Sequence, residues 1–385
     1  MPTKYDVFAK IIEKTPCKPK DIQFKTLVYM HIDSLMKSNW IKKSEQGILT
    51  PISNKKTKEA FEIIKWSIKN NINPNLWFSE NFKKILKILS KKTPNINPKQ
   101  LSSNSSNQTI IDFLIKDQFI LIRKKSPKLG TLLNHKMFNY LQKYHEQKIE
   151  IKENYLPFEK ISQLVLKTKR REINPFELKL FEFLTGSAQL EGGTITIGET
   201  VEILTKDIYP DKPSKDIQMV KNLNEAFSYL LENMNEDISI DHIKELNKIS
   251  LFSLHKGAGQ FKKTNNKIAG NPEFKTSNPS EVLPTLLNFC ERFNSIKSRE
   301  EALKELGYIH NEFQHIHPFS DGNSRTTRLI VNWFLMKFKL PILIFKRGAF
   351  EKYMSLTKLS KKRDDEELRN LLLHIIYHEE LVKND

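Results

Sequence analysis

One short run constrains this chain more than any other part of it. Residues 317–328 have the sequence His-Pro-Phe-Ser-Asp-Gly-Asn-Ser-Arg-Thr-Thr-Arg. Gly322 and Asn323 tolerate the turn conformations that point successive backbone N–H groups inward. The apolar spacing of residues 329–334 predicts a helix that begins near Ser324. The chain must therefore fold a tight turn directly into the N-terminal end of a helix.

The side chains of this run suit a site for nucleotide phosphates. His317 can take a proton from an attacking hydroxyl, because the ordinary histidine pKa lies near neutrality. Asp321 offers the hard oxygen ligands that Mg²⁺ prefers. Arg325 and Arg328 are one helical turn apart, so each can grip a pair of phosphate oxygens beside the positive end of the helix.

The run resembles the signature of Fic proteins, His-x-Phe-x-Asp/Glu-Gly-Asn-Gly-Arg-x-x-Arg, and departs from it at Ser324, where glycine is usual. The resemblance implies a mainly α-helical Fic domain with a small β-hairpin flap over about residues 165–385. It also implies that the chain moves AMP from ATP to a Ser, Thr or Tyr hydroxyl of a target protein, with His317 as the catalytic base and Asp321 holding Mg²⁺. The nucleotide-binding residues that it implies are Asp321, Gly322, Asn323, Ser324, Arg325, Arg328 and, against the adenine ring, Tyr353.

A second run, at residues 187–192, has the sequence Ser-Ala-Gln-Leu-Glu-Gly and resembles the inhibitory motif of the same family. Gly192 suits the left-handed residue that ends a helix. The resemblance implies that Glu191 pairs with Arg328 and keeps this arginine from the γ-phosphate, while Ser187 braces the helix. The same glutamate could instead position water that removes AMP from a modified protein, so AMP removal is an alternative activity.

Between these runs, the segment 257–270 is bounded by glycines and rich in turn formers, which predicts a hairpin. It resembles the flap of Fic proteins, which pairs with the target segment as an added strand and so recognises its backbone. The target-binding residues that the resemblance implies are Lys263, Thr264, Asn265, Asn266, Lys267 and Ile268.

The positive charge of the chain is concentrated near its start. The formal net charge is +18, and residues 1–160 hold 30 basic against 14 acidic side chains, whereas the remainder holds 33 against 31. A basic region of this kind favours a polyanionic partner. DNA is therefore one candidate partner of residues 1–80, and a homodimer is a further arrangement that the sequence leaves open.

Residues 1–80 show the helix and strand pattern of a winged helix-turn-helix. Helices are predicted near residues 5–13, 18–24, 26–38 and 54–70, with short strands at 40–43 and 48–51 around the turn at Gly47. The exposed side of the candidate recognition helix carries Thr26, Tyr29, His31 and Asp33. A DNA-binding regulator with an ATP-sensing Fic domain is therefore a second functional hypothesis.

The cysteine content and the apolar stretches of the chain bear on its cellular setting. The two cysteines, Cys17 and Cys290, are too few for a disulfide framework, which favours a reducing, cytoplasmic setting. The most apolar stretch, residues 329–345, is interrupted by lysines and proline and predicts no membrane span. We expect three parts: a winged-helix-like basic domain at 1–80, a middle region of mixed character at 81–164 with a Ser/Asn-rich linker at 102–107, and a Fic domain at 165–385.

Overall fold

The computed structural model describes residues 2–24, 28–101, 105–168 and 177–382. The chain forms two compact units. The N-terminal unit comprises Met1–Asp112 and Asn134–Lys152, and the C-terminal unit comprises Phe113–Leu133 and Glu153–Asp385. These units differ from the expected boundaries at residues 80 and 164, because the segment Phe113–Leu133 packs with the C-terminal unit.

The N-terminal unit is built from short amphipathic helices around an apolar core. Its first helix begins where Thr3 and Asp6 form a reciprocal capping box, and its buried face carries Val7, Phe8 and Ile11. The elements of this part of the chain are α1 (Lys4–Lys14), α2 (Tyr29–Lys37), β1 (Ile41–Lys43), β2 (Leu49–Pro51), α3 (Lys55–Lys69), α4 (Asn75–Phe78), α5 (Glu80–Lys92), α6 (Pro98–Leu101), α7 (Ser105–Lys116) and α8 (Lys136–His145).

The helices and strands expected for residues 1–80 occur largely in the expected order, but several of them are shorter than expected. The predicted helix at 18–24 is a single 3-10 turn, Pro19–Asp21, and the predicted recognition helix is α2. Tyr29 is exposed on α2, whereas Thr26 lies outside the described residues. β1 and β2 pair antiparallel with Ile41 opposite Pro51, as the predicted wing requires. This order of elements does not by itself establish a winged-helix fold.

The Ser/Asn tract expected to be a linker is partly helical. Residues 102–104 lie outside the described ranges, but α7 begins at Ser105, and its later turns bury Ile111 and Leu114. The apolar residues that follow the tract therefore extend the helix back into it, a tertiary effect that local composition does not predict.

A two-stranded hairpin anchors the segment 113–133 to the C-terminal unit. β3 (Ile120–Lys124) and β4 (Leu129–Leu132) pair antiparallel, with an irregularity after Ile122. The Ile122 N–H donates to Nδ1 of His378 over 2.8 Å, and the Gln118 amide donates to the Glu379 carboxylate over 2.8 Å. Because all these groups are buried, their partners must stay in place when the unit is folded.

The C-terminal unit is a helical assembly, which confirms the expected mainly α-helical class. Its helices are α9 (Phe158–Leu166), α10 (Leu178–Leu190), α11 (Ile197–Lys206), α12 (Ser214–Asn233), α13 (Ile240–Ser250), α14 (Val282–Ser295), α15 (Arg299–Ile316), α16 (Asn323–Lys337), α17 (Arg347–Leu356) and α18 (Asp365–Leu381). Helix α15 packs against α14, α16 and α18, and α13 packs against α12 and α16.

The segment 257–270 differs from the expected hairpin. It forms single β-bridges, Phe261 with Phe319 and Ile268 with Asn271, instead of a two-stranded ladder. The Lys262 N–H donates to the Pro318 carbonyl oxygen over 2.8 Å, so the segment pairs with the chain just after His317. In the described ranges no strand pairs with residues 263–267, and no helix combines the length and apolar character needed to cross a bilayer.

The contact of α15 with α18 generates a stability prediction. A Cβ added at Gly307 would overlap the backbone carbonyl oxygen of Asp365, whereas one added at Gly198 in α11 would meet nothing within 4 Å. We expect Gly307→Ala to lower the free energy of unfolding by roughly 1–3 kcal/mol through overpacking. Gly198→Ala is the matched control and should raise the free energy of unfolding by up to about 1 kcal/mol, because alanine has a higher helix propensity than glycine. Urea denaturation measures the free energy of unfolding of both variants. Equal changes in the two variants would contradict the close packing of α15 on α18 at Gly307.

Candidate active site

The end of α15 presents His317. This residue terminates the helix in the left-handed conformation, with φ of 48°, and its N–H donates to the Phe313 carbonyl oxygen. The imidazole Nδ1 lies 3.2 Å from the Gln314 carbonyl oxygen, which can only accept a hydrogen bond. In the neutral ring the proton therefore sits on Nδ1, and Nε2 is left with its lone pair.

The surroundings of His317 keep its ring neutral. Burial, together with the charges of Lys262 and Lys358, lowers the His317 pKa to about 4, although the Gln314 carbonyl and Asp321 act in the opposite direction. His317 is 8% exposed. At neutral pH this histidine is an unprotonated, oriented base, as a general-base role requires.

The turn after His317 is held by its own side chains. Asn323 accepts a hydrogen bond from the Phe319 N–H over 3.0 Å and donates one to the Phe319 carbonyl oxygen over 2.7 Å. Gly322 has φ of 77°, and an added Cβ would lie 2.7 Å from Leu251 Cδ1. A side chain at this position would therefore be both strained and obstructed. The resemblance implies that the Asn323 amide binds phosphate. In this structure its Oδ1 and Nδ2 are both hydrogen-bonded to Phe319 within the turn.

The N-terminal end of α16 carries unused donors. The backbone N–H groups of Asn323, Ser324 and Arg325 have no acceptor within the described ranges, and the first intrahelical partner is taken by the Thr326 N–H. Arg325 is 5% exposed, and its buried Nε has no hydrogen-bond partner there either. Buried donors of this kind are rare unless a ligand completes them, and a helix start favours an anion.

Arg328 is turned away from this end and grips α10. Its Nε donates to Ser187 Oγ over 2.8 Å, and its Nη2 donates to the Ser187 carbonyl oxygen over 3.0 Å and to Glu191 Oε1 over 2.8 Å. The guanidinium is 2% exposed, so these contacts are nearly dry. The three predicted residues Ser187, Glu191 and Arg328 therefore meet in the structure.

Glu191 is placed by the way α10 ends. It is the C-terminal cap of the helix, and Gly192 follows with φ of 89°. Burial alone would raise the Glu191 pKa, but the charges of Arg328, Lys358 and Arg325 hold it below its ordinary value. The carboxylate is therefore ionised at neutral pH and makes a charge-assisted bond with Arg328.

Tyr353 does not lie where an adenine contact would be open. It is 2% exposed, its hydroxyl lies 2.8 Å from His310 Nε2, and its ring centroid is 4.1 Å from that of Phe345. Burial raises the Tyr353 pKa to about 12, although the positive charge of Arg328 acts in the opposite direction. The ring is therefore already covered by its neighbours and offers no open stacking surface.

The predicted flap residues are brought to the mouth of the site. Asn266 donates to the carbonyl oxygens of Phe319 over 3.0 Å and Ser320 over 3.4 Å, which ties the segment to the turn after His317. Lys263, Thr264, Asn265 and Lys267 are exposed. The backbone groups of residues 263–267 have no hydrogen-bond partner in the described chain, so this edge is open to pairing.

Three further residues of the site carry no local sequence signal. Asn247 of α13 donates to the Asp321 carbonyl oxygen and accepts from the Gly259 N–H, which joins the two loops. Lys262 is buried, donates to the Ile316 carbonyl oxygen, and has its pKa lowered to about 8 mainly by burial. Lys358 adds positive charge close to both His317 and Glu191. Only their spatial neighbours identify them.

Asp321 fits the part of a Mg²⁺ ligand shared with a substrate. Its side chain is 51% exposed, with one oxygen accepting the Gly322 N–H over 2.6 Å and the other 3.4 Å from Arg325. Within the described ranges no group of three or more His, Cys, Asp or Glu side chains could hold a metal ion. A single carboxylate suits Mg²⁺, which usually keeps its waters and takes phosphate oxygens as further ligands.

The charge of Lys262 near His317 leads to a titration prediction. We expect His317 to titrate near pH 4, and Lys262→Met to raise its pKa, because removing a neighbouring positive charge favours the imidazolium. Histidine ¹⁵N chemical shifts followed by NMR between pH 3 and 8 measure the change. Lys256→Met, at an exposed position, should leave the titration unchanged. A His317 pKa near its ordinary value in the wild type would show that the ring is not buried as described.

Comparison with known proteins agrees with this geometry. The sequence model of the Fic/DOC family matches residues 237–335, which include α13, α15, the turn and most of α16. The chain is similar to protein adenylyltransferase Fic of Drosophila persimilis, with 28% identity over 189 residues that cover 48% of this chain and 37% of the relative. The corresponding protein of Drosophila melanogaster shows 28% identity over 191 residues, covering 48% and 38%.

The match thus spans little more than a third of the length of these curated relatives. Among solved structures, Fic-1 from C. elegans is similar with a TM-score of 0.49 and 21% identity, covering 58% of this chain and 68% of the other. The run at residues 317–328, which departs from the signature at Ser324, lies within the matched region and close to its C-terminal end. Residues 237–335 of the chain are therefore similar to the Fic/DOC family.

Proposed function

We propose that this protein is a Fic-type adenylyltransferase that moves AMP from ATP to a hydroxyl side chain of a target protein. One observation carries the proposal: a neutral His317 with a free Nε2 lies next to a helix start whose three N–H groups and the Arg325 Nε are unpartnered in the described chain. The base His317 and the anion site at the start of α16 therefore lie on either side of the same turn. The curated relatives carry the name protein adenylyltransferase, which supports the same reaction.

The transfer step follows from these positions. The target hydroxyl oxygen forms a bond to the α-phosphorus of ATP, the bond from that phosphorus to the β-phosphate oxygen breaks, and pyrophosphate leaves. The hydroxyl proton goes to His317 Nε2, because Nδ1 already carries the proton of the neutral ring. Arg325 and the N–H groups at the start of α16 would hold the phosphates, and their fixed positions lower the cost of orienting them.

Asp321 would hold Mg²⁺ against the phosphates, since its carboxylate is half exposed beside the helix start. When bound, Mg²⁺ neutralises phosphate charge. The turn at residues 319–323 keeps Asp321 in place through the Asn323 bonds to Phe319 and the Asn247 bond to the Asp321 carbonyl oxygen. Ser324, which stands where the signature has glycine, is small and uncharged and lies in the first turn of α16.

The target would be received at residues 263–267. An extended segment of a partner protein can pair with a free backbone edge and be recognised through its main chain. Asn266 fixes this edge to the turn that follows His317, so a paired segment would run past the base. Target choice then depends on backbone geometry and on the few side chains that flank the modified hydroxyl.

The contact between Glu191 and Arg328 would restrain the activity. While Glu191 occupies the inner edge of this guanidinium, Arg328 cannot receive the γ-phosphate. Since Arg328 is 2% exposed, the ion pair is scarcely screened by solvent. A coupling of about 1.4–2.8 kcal/mol would be enough to change activity tenfold to a hundredfold.

The restraint yields a direct prediction. We expect Glu191→Gly to raise incorporation of AMP by roughly tenfold to a hundredfold over wild type, and Glu191→Gly/His317→Ala to abolish it. The readout is the intact mass of each purified protein after incubation with ATP and Mg²⁺, since self-modification adds one AMP unit per event. Labelled ATP with a mixture of candidate target proteins extends the same comparison.

Glu202→Gln and Glu191→Gln form the matched control pair, because both remove one carboxylate but only Glu191 contacts Arg328. Glu202 is exposed on α11, so its substitution should change nothing. Equal activity of wild type and Glu191→Gly would contradict the restraint while leaving the transferase intact. Labelling that survives His317→Ala would contradict the assigned base.

A further inference from the structure

The N-terminal unit contains an open cavity of about 660 Å³ that the proposed activity does not use. Its wall residues belong to α1, α3, the loop after α2, α4 and α8, all within the N-terminal unit. The volume lies in the range of small-molecule sites in proteins, which is about 300–1,000 Å³. Six of its residues carry the chemistry: Lys4, Tyr5, Trp40, Lys56, Phe78 and Tyr144.

Four of these six are aromatic and form one connected wall. Tyr5 and Phe78 are stacked with ring centroids 5.4 Å apart, and Phe78 meets Trp40 edge to face at 5.3 Å. Tyr144 completes the wall, with its centroid 4.9 Å from that of Phe78. Rings fixed against one another in this way offer a planar ligand a surface that costs little conformational entropy to order.

The two lysines stand over this wall as unpaired cations. Lys4 Nζ lies 5.1 Å from the centroid of Tyr5, and Lys56 Nζ lies 5.3 Å from that of Tyr144. Neither has an acidic partner among the residues that the structure describes. The cavity therefore holds two positive charges beside π faces, without a protein carboxylate bound to either lysine.

The helices that reach the cavity add to this positive character. Lys4 is the first residue of α1, Lys56 is the second of α3, and Ser79 caps the start of α5, so three helices of eleven or more residues begin at the same wall. The partial positive end of α3 favours an anion, whereas Asp6 and Glu80 in the first turns of α1 and α5 offset the positive ends of those two helices.

The side chain of Trp40 brings a hydrogen-bond donor to the wall of the cavity. Trp40 is 8% exposed and lines the cavity, and its indole N–H can donate one hydrogen bond. An indole N–H normally finds an acceptor when the ring is buried. A ligand with an acceptor atom next to its ring would satisfy it.

We propose that this cavity binds a planar heteroaromatic ring that carries an anionic group, the chemistry of a nucleoside monophosphate. The ring would lie on the partly exposed faces of Phe78 and Tyr144, which Tyr5 supports from behind, within reach of the Trp40 N–H. The phosphate would lie between Lys4 and Lys56 at the helix starts. The site is separate from the one at His317, and it does not depend on the adenylyltransferase activity.

The test is calorimetric titration of the full-length protein carrying Arg325→Ala, which weakens phosphate binding at α16. The probes are AMP, adenosine and inorganic phosphate. We expect AMP to bind at least roughly tenfold more tightly than either fragment, because only AMP engages both the wall and the lysines. Binding of AMP no tighter than that of inorganic phosphate would overturn the proposal, and so would an absence of AMP binding.

Matched variants in the same background locate the site. Lys56→Ala should weaken AMP binding by roughly tenfold, whereas Lys58→Ala, an exposed lysine two residues along α3 that does not line the cavity, should not. Trp40→Phe keeps an aromatic ring but should weaken AMP binding and remove the change in tryptophan fluorescence that AMP causes. Equal effects of Lys56→Ala and Lys58→Ala, or a fluorescence change that persists in Trp40→Phe, would place the ligand elsewhere.

Discussion

The buried guanidinium of Arg328 is the constraint on which the arrangement of the active region depends. A cation that is 2% exposed must keep partners, because an unpaired buried charge costs several kcal/mol. Ser187 and Glu191 of α10 provide them, and the charge of Arg328 also acts on the hydroxyl of Tyr353 in α17. Helices α10 and α16 are therefore joined by one side chain.

This requirement also shapes how the proposed restraint is released. If Glu191 leaves, Arg328 needs another anion, and the γ-phosphate of ATP is the one that the proposed reaction supplies. The exchange replaces one charged partner by another, so its free-energy difference can stay small although each contact is strong. Lys358 lies close enough to influence both Glu191 and His317, and so it takes part in the same balance of charge.

The chemistry-bearing residues of the site were predictable because they are local in sequence. The turn, the start of α16 and the end of α15 are determined by residues 313–328, where helix termination, glycine and asparagine act over a few positions. The pairing of Glu191 with Arg328 joins residues 137 positions apart, and only the family resemblance indicated it. The spacing of residues along the chain does not indicate that Glu191 and Arg328 pair.

Other features escaped prediction because tertiary contacts decide them. Tyr353 is covered by Phe345 and His310, which no pattern around residue 353 reveals. The segment 257–270 looked like a hairpin, but Phe261 pairs with Phe319 instead of with a residue of its own segment. Asn247 and Lys262 became recognisable only through the loops that they join.

The path of the chain between the two units has a consequence for how this protein can be divided. The chain passes from one unit to the other after Asp112, after Leu133 and after Lys152. A fragment that starts at residue 153 would lose Gln118 and Ile122, and so leave Glu379 and His378 without the partners that they have in the intact chain. Exchange of the N-terminal unit by genetic recombination would therefore have to preserve two separate stretches of sequence, with the hairpin of β3 and β4 kept between them.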